Sequence, residues 1–284
     1  MTLMTLQELQ KRTMDMLSQA GIADAGRETR WLLKHALGVS DADLIAGGPS
    51  PSGDAVASVQ TIAGRRAAGE PVSRIIGEKE FDGLSYKVTP DVLDPRMDTE
   101  TLVAAACSRF KDHQPRQILD LGTGSGCILI SLLKAFPESI GVGVDVSREA
   151  LAVAQENAAQ HGVAAQTFFI QGDWAESVNG SFDLIVSNPP YIPSGDIPNL
   201  DKEVRNYDPI LALDGGFDGL QAYKKIFSQI KALFSQGGCG FFEVGILQAQ
   251  DVARLAENAG FLVKGYHTDS AGILRVLEID SGEK

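Results

Sequence analysis

Five residues in the run DLIVSNPPYIPSG (residues 183–195) have types and spacing suited to holding a nitrogen still. Asn188 precedes a proline, which keeps its backbone extended. Pro189 and Pro190 fix their own φ and bring carbonyls without matching donors. Tyr191 adds an aromatic wall, and Ser187 ends the apolar strand that delivers the group. Such a ledge suits a planar NH2: the Asn188 side-chain oxygen and the Pro189 carbonyl accept its two hydrogens, leaving the nitrogen lone pair aimed at a methyl donor. The plainer alternative is a proline turn capped by asparagine. It explains the prolines but not an asparagine placed directly before them, opposite a glycine loop.

That loop is ILDLGTGSGC (residues 118–127), a strand pattern running into Gly122, Thr123, Gly124, Ser125 and Gly126 at the start of a helix. Glycines there let the backbone turn tightly and let a ligand approach without a Cβ in the way. The spacing is G-x-G-x-G and not the G-x-G-x-x-G of dinucleotide sites. Asp120, two residues earlier, suits an ammonium group better than phosphates, which a carboxylate repels. Asp145 ends the next strand pattern, where its two oxygens can accept both hydroxyls of a ribose. In QGDW (residues 171–174), Asp173 and Trp174 offer a hydrogen bond and a stacking face for adenine. An aspartate after a strand is also a common turn residue, and Trp174 also suits the core. Adenosine, a free ribose and a charged amino-acid tail together describe S-adenosyl-L-methionine.

The elements that must position these residues alternate. Strand patterns fall at 117–121, 140–145, 167–171, 182–187, 240–244, 261–266 and 274–279, mostly with helices between them. This is an α/β fold with a mostly parallel sheet covered on both faces. Only HTDSAGI separates the last two strands, too little for a crossover helix, so they should be antiparallel neighbours. Ahead of the sheet, residues 1–75 read as short helices: Thr5 with Glu8 caps the first, carrying Leu6, Leu9, Met16 and Leu17. Asp24 and Ser40 cap the next two, and a fourth runs from about 54 to 68, stopped by Gly69 and Pro71. Residues 80–92 read as a hairpin around Asp82 and Gly83, and Asp98 as the cap of the helix that follows.

Bulk properties narrow the class. The 284 residues are 44% apolar and 22% charged, with a net charge of −12. Residues 1–80 carry nine Lys/Arg against ten Asp/Glu, and the remainder sixteen against twenty-seven. A domain that grips long DNA or RNA usually shows a basic footprint, so direct nucleic-acid binding is not expected. No apolar stretch is long enough to span a membrane, and the N-terminus lacks the pattern of a signal peptide. Cys107, Cys127 and Cys239 are odd in number and scattered, which argues against disulfides or a metal site and for the reduced cytoplasm.

The combination SNPPY with DLGTGSG resembles class I methyltransferases that act on planar nitrogen. PVSRIIGEKEF (71–81), DPRMDTE (94–100), EVRNYDPILALDGGFDGLQAYKKI (203–226), FFEVG (241–245) and DSAGILRVLE (269–278) are similar to the peptide chain release factor N5-glutamine methyltransferases over nearly the whole chain. The resemblance implies a class I, Rossmann-like, seven-stranded methyltransferase domain at 95–284, a hairpin linker at 76–94 and a helical substrate-docking domain at 1–75. It implies methyl transfer from S-adenosyl-L-methionine to the glutamine side chain in the Gly-Gly-Gln loop of class 1 release factors, by a cytoplasmic monomer. It implies that residues 122–126, Asp145, Trp174 and Asn188 line the cofactor, and that Asn188, Pro189, Pro190 and Tyr191 hold the glutamine. Thr99 and Glu100 fall near the cofactor tail by the same resemblance, although residues 98–100 also suit a helix cap. Asp94 and Met97 depart from the family pattern just around Arg96. Two rivals share the ledge: glutamine methylation of a large-subunit ribosomal protein, and N6-adenine DNA methylation, which calls for a basic recognition region. A nicotinamide oxidoreductase lacks its glycine spacing here, and a non-catalytic module would have no use for the ledge. His35, His113, His161 and His267 lie outside every motif. Arg27, Arg30, Arg65, Arg66 and Arg74 are candidates for docking the protein substrate, with solvated helix faces the alternative.

Overall fold

The computed structural model describes residues 4–282, so residues 1–3 and 283–284, the outer ends of the two expected domains, lie outside the described residues. Two compact units form. One gathers the chain up to Glu78 together with Asp201–Tyr207, and the other holds Lys79–Leu200 and the chain from Asp208 onward.

Local signals set the helices of the first unit. α1 (Leu6–Gln19) starts at a reciprocal capping box: the Glu8 amide donates to Thr5 Oγ1 and the Thr5 amide to Glu8 Oε2. α2 (Ala25–Leu37) is capped by Asp24 and stopped by Gly38, whose φ of 66° is left-handed. α3 (Asp41–Ala46) opens on a second box, Ser40 with Asp43, and α4 (Gly53–Ala67) on Ser52. Leu6 and Leu9 bury against Leu33, Leu44 and Val59, while Leu17 buries against Leu32, Ala63 and Ile75. Met16, expected on this stripe, is 38% exposed, and Thr13 is buried instead. At 100° per residue Thr13 falls at the centre of the stripe and Met16 at its edge. α4 ends ahead of Gly69 and Pro71 as expected, but the helical run goes on. Pro71 opens a fifth helix, α5 (Val72–Ile76), its carbonyl accepting from the Arg74 and Ile75 amides. Proline needs no amide partner at a helix start, so it initiates as readily as it terminates.

In the second unit β1 (Glu78–Phe81) and β2 (Leu84–Lys87) form a two-stranded sheet around Asp82 and Gly83, both at positive φ. α6 (Glu100–Arg109) follows a 3-10 turn, Met97–Thr99. Asp98 does not cap this helix; its carboxylate pairs with Arg275 at 2.7 Å. The main sheet then builds through β3 (Gln117–Leu121), α7 (Cys127–Ala135), β4 (Ile140–Asp145), α8 (Arg148–Gln160), β5 (Thr167–Gln171) and β6 (Phe182–Ser187). After α9 (Lys202–Tyr207) and α10 (Gln221–Gln229) come β7 (Phe234–Glu243), α11 (Ala249–Asn258), β8 (Leu262–Thr268) and β9 (Leu274–Asp280). Strand order is β5-β4-β3-β6-β7-β9-β8. The first five strands pair in parallel, and β9 runs antiparallel to both β7 and β8. β7 begins six residues before the expected strand because a bulge absorbs its glycines: the register slips between Phe182 opposite Phe234 and Leu184 opposite Cys239.

α9 lies in the first unit, an excursion the sequence does not announce. Its Glu203 pairs at 2.7 Å with Arg66 of α4, whose other partner is Glu28 at 2.5 Å. Arg66 is 4% exposed, so it is a structural cation and not a docking one. Arg65 is likewise committed, to Glu70, and Arg27 to Asp24. Arg66→Ala leaves the partly buried Glu28 carboxylate without its cation and should destabilise this unit by about 3 kcal/mol. Urea denaturation checks it, and Arg66→Met should lose less.

Candidate active site

A cleft of about 520 Å³ opens beyond the carboxyl ends of the parallel strands, within the usual size range of ligand pockets. Register explains its position. Leu121 of β3 pairs with Val144 of β4 and Ser187 of β6, so Gly122, Asp145 and Asn188 step off three adjacent strands together. Here the strand order reverses, which is where open α/β sheets bind ligands. Gly122, Thr123, Gly124, Ser125, Asp145, Asp173, Trp174, Asn188 and Pro190 all line the cleft. Gly126, Pro189 and Tyr191 do not.

The loop glycines serve different ends, although all have positive φ. A Cβ on Gly122 would press on the Trp174 ring at 3.3 Å, and one on Gly126 would meet Ile130 at 3.0 Å and Ala154 at 3.2 Å. A Cβ on Gly124 would meet nothing within 4 Å, because that face gives onto the cleft. The Gly124 amide donates to Asp145 Oδ2 and the Ser147 amide to Oδ1, both at 2.9 Å. Each carboxylate oxygen keeps acceptor capacity for a ligand hydroxyl. Burial raises the Asp145 pKa. Trp174 joins both readings, lining the cleft while packing against the core cluster of Leu121 and Val144. Asp173 is already ion-paired with Lys225, which also lines the cleft.

Asp120 departs from expectation. It is fully buried and absent from the cleft lining, so it does not face an ammonium group there. Its Oδ2 accepts from the Thr123 hydroxyl at 2.7 Å, and its Oδ1 has no hydrogen-bond partner. It braces the loop from beneath. Asn157 of α8, which no motif flagged, braces it from the side: Nδ2 donates to the Ser125 carbonyl at 2.8 Å and Oδ1 accepts from the Lys87 amide at 2.7 Å.

At the ledge, Asn188 Nδ2 donates to Thr99 Oγ1 at 3.1 Å, which leaves Oδ1 as the free acceptor of the amide. Pro190 lines the cleft and Pro189 is buried. Tyr191 is an anchor and not a wall of the cleft. Its hydroxyl donates to Glu243 Oε1 at 3.2 Å, and its carbonyl accepts from Gln248 Nε2 at 2.9 Å. Gly219 packs so closely that a Cβ there would lie 2.4 Å from the Tyr191 carbonyl oxygen. On the facing side, residues 90–96 line the cleft except for Asp94. Asp208 organises them: it accepts from the Asp94 amide at 3.2 Å and ion-pairs with Arg96. The departure at Asp94 is thus accommodated, its carboxylate 3.6 Å from Lys79, and Met97 is simply exposed. Thr99, expected near the cofactor tail, lines the cleft, as do Arg96 and Lys225, which lie in the stretches of family resemblance but were given no role there; Glu243, in FFEVG, was likewise given none.

Comparison with known proteins fits this geometry. The "PrmC N-terminal domain" family matches residues 8–77 and the "Methyltransferase small domain" family residues 96–200. The release factor glutamine methyltransferase of Rhodospirillum rubrum is 44% identical over 92% of this chain and 80% of its own length. The chain belongs to the release factor glutamine methyltransferase family. The family member from Geobacter sulfurreducens is 40% identical over 96% of this chain and 95% of its own. A solved methyltransferase from Pyrococcus furiosus shares the fold, with a TM-score of 0.52 at 17% identity over 79% of this chain and 98% of that one. The family's methyl donor, S-adenosyl-L-methionine, suits the donor set: the open face at Gly124 admits a ligand, and Asp145 has acceptor capacity to spare. Among the described residues no helix is long and apolar enough to cross a membrane.

Burial pushes the pKa of Asp120 and of Glu243 up to about 7. Both acids therefore hold protons more tightly when folded, and stability falls as pH rises from about 4 to about 7. The carboxylates shifted downward, such as Asp214 and Asp269, titrate below that window. Thermal melting should give a higher Tm near pH 6 than near pH 8, and Asp120→Asn should flatten the difference.

Proposed function

We propose that this protein methylates the side-chain amide nitrogen (N5) of the glutamine in the Gly-Gly-Gln loop of class 1 peptide chain release factors. The observation that carries the reading is the Asn188 amide, pinned through Nδ2 to Thr99 at 3.1 Å with Oδ1 left as acceptor, in the same cleft as Gly124 and Asp145. Asp145 receives the ribose hydroxyls, Gly124 allows close approach, and Trp174 with Asp173 receives the adenine. Asn188 Oδ1 accepts one amide hydrogen of the glutamine and the Pro189 carbonyl the other, although Pro189 itself lies buried behind the lining that Asn188 and Pro190 present to the cleft, and Pro190 and Tyr191 hold that strand end rigid.

An amide nitrogen is a weak nucleophile because its lone pair is delocalised into the carbonyl. When bound, S-adenosyl-L-methionine supplies an electrophilic methyl group. The protein's task is to position the nitrogen and exclude water, and fixing two reactants in line is worth about 7–11 kcal/mol. The two acceptors stabilise positive charge developing on the nitrogen. An N-methylated amide cation is a strong acid, so the chemistry asks for no dedicated base. Residues 1–75 dock the protein substrate, 76–94 link, and 95–284 carry the reaction, in a cytoplasmic monomer with no direct nucleic-acid contact. The net charge of −12 supports the last point. Isothermal titration tests the cofactor arm: S-adenosyl-L-methionine should bind and NAD should not, and the reverse would overturn the reading.

A further inference from the structure

Proline fixes φ but leaves ψ free, so Pro189 and Pro190 do not by themselves set where their carbonyls point. The missing restraint comes from behind the ledge, where the loop from Leu213 to Gly219 follows the chain. The Ile192 amide donates to the Leu213 carbonyl at 3.1 Å, and the Gly215 amide to the Ile192 carbonyl at 2.8 Å. A Cβ on Gly215 would lie 2.9 Å from the Pro190 carbonyl oxygen, and one on Gly219 would strike that of Tyr191. Gly215 does not have a positive φ, so closeness and not conformation calls for glycine there.

Gln248 closes this backing. Its Nε2 donates to the Tyr191 carbonyl at 2.9 Å, and its Oε1 accepts from the Gly245 amide at 3.1 Å. Only one orientation of the side-chain amide satisfies both, because a carbonyl only accepts and an N–H only donates. The turn that presents it is strained. The Gln248 amide donates to the Gly245 carbonyl at 3.0 Å, and Leu247 between them has a left-handed φ of 69°. A bulky residue persists in that region only where its surroundings impose it, and such strain gathers at functional sites. Leu247 is 93% exposed, so burial of its side chain does not offset the strain. Gln248 does not line the cleft, and the mechanism above does not use it.

We infer that Gln248 is a positioning residue: by bridging the Tyr191 carbonyl to the Gly245 amide, it fixes the backbone torsions that the prolines leave free and so holds the Pro189 carbonyl on the glutamine nitrogen. With φ set at Pro189 and Pro190, the peptide planes of the ledge turn only through ψ of those residues and φ of Tyr191. One end is held by the sheet, where Ser187 pairs with both Leu121 and Phe242. At the other end the Tyr191–Ile192 plane is gripped on both sides, its carbonyl by Gln248 and its amide by Leu213. The Pro189–Pro190 plane lies between two fixed ends and stays put. Releasing the Tyr191 carbonyl leaves one grip, about which the plane can rock. A misplacement of about 1 Å at a reacting centre costs about a hundredfold in rate, so a side chain that never meets the substrate can govern kcat.

The inference rests on the proposed reading of Asn188 and Pro189 as acceptors, so the test separates the two. Wild type, Gln248→Ala, Gln248→Glu, Gly245→Ala and Asn188→Ala are compared for kcat on a purified class 1 release factor, for S-adenosyl-L-methionine affinity by calorimetry and for Tm. Gln248→Ala should lower kcat about 10- to 100-fold, with cofactor Kd unchanged and Tm lower by only about 2–4 °C. Gln248→Glu keeps an acceptor for the Gly245 amide but, ionised, brings no donor to Tyr191, and should lose as much. In Gly245→Ala the new Cβ would run into Gln248 Oε1, the tip of a flexible side chain, and Gly245 does not have a positive φ. That variant should therefore fold with Gln248 turned away and show the same loss, and it carries the test if Gln248→Ala fails to fold. Because both act through one contact, Gly245→Ala combined with Gln248→Ala should be no slower than Gln248→Ala alone. Wild-type kcat in Gln248→Ala or Gln248→Glu, losses that multiply in the double variant, or a loss that merely tracks a falling Tm overturns the inference. Wild-type kcat in Asn188→Ala overturns the ledge reading itself.

Discussion

Asn188→Ala lowers kcat for methyl transfer by about 10²- to 10³-fold, or roughly 2.7–4 kcal/mol, while cofactor affinity stays within about threefold. The size follows from what is removed. The Asn188 oxygen meets charge that develops on the nitrogen only in the transition state, so its loss acts on kcat and not on ground-state binding. The rest of the site should persist. Pro189 still holds the backbone extended, Ser187 Oγ still donates to the Leu121 carbonyl at 2.6 Å, and Tyr191 is still tied to Glu243 and Gln248. Thr99 loses one partner in a partly buried spot, a modest cost to stability. Single-turnover kinetics at saturating cofactor, with calorimetry alongside, separates the effects. A kcat within threefold of wild type would mean that another group holds the glutamine.

Asp145→Ala has the opposite signature: cofactor Kd rises about a hundredfold or more, and kcat at saturation changes far less. Hydrogen bonds to a charged acceptor are worth about 1.5–3 kcal/mol each, and two ribose hydroxyls lost together make at least about 3 kcal/mol. The substitution also frees the Gly124 and Ser147 amides that Asp145 now holds at 2.9 Å, which loosens the loop where it meets the ligand. Folding should tolerate the change, because burial already disfavours the charged form of Asp145. Calorimetry with S-adenosyl-L-methionine decides it. Unchanged affinity would remove Asp145 from the cofactor site.

Features local in sequence were legible. Strand patterns at 117–121, 140–145, 167–171 and 182–187 became β3 to β6 with the same bounds, since period and glycine punctuation sufficed. Capping boxes at Thr5 and Ser40 formed because all their partners lie within three residues. Polar pairing between distant segments stayed hidden. Asn188 and Thr99 are 89 residues apart, and Tyr191 and Glu243 are 52. Tyr191 was readable as an aromatic beside the ledge, but its direction depends on Glu243 and Gln248, which no spacing reveals. Asp120 and Asp145 look alike as acids near a glycine loop. One faces inward beneath Thr123 and the other steps off the strand into the cleft, and only the path of the turn tells them apart. Arg66 looked like a surface cation because its partner Glu203 arrives on a helix inserted from the second half of the chain.

The central claim is that the methyl group goes to a glutamine amide nitrogen in a release factor. The direct measurement is to incubate the protein with isotopically labelled S-adenosyl-L-methionine and a mixture of purified class 1 release factor, large-subunit ribosomal proteins and DNA, then locate the label by mass spectrometry. A single methyl group on the side-chain amide of the Gly-Gly-Gln glutamine, absent with Asn188→Ala, is the predicted result. Label on DNA or on a ribosomal protein, with none on that glutamine, would contradict the account.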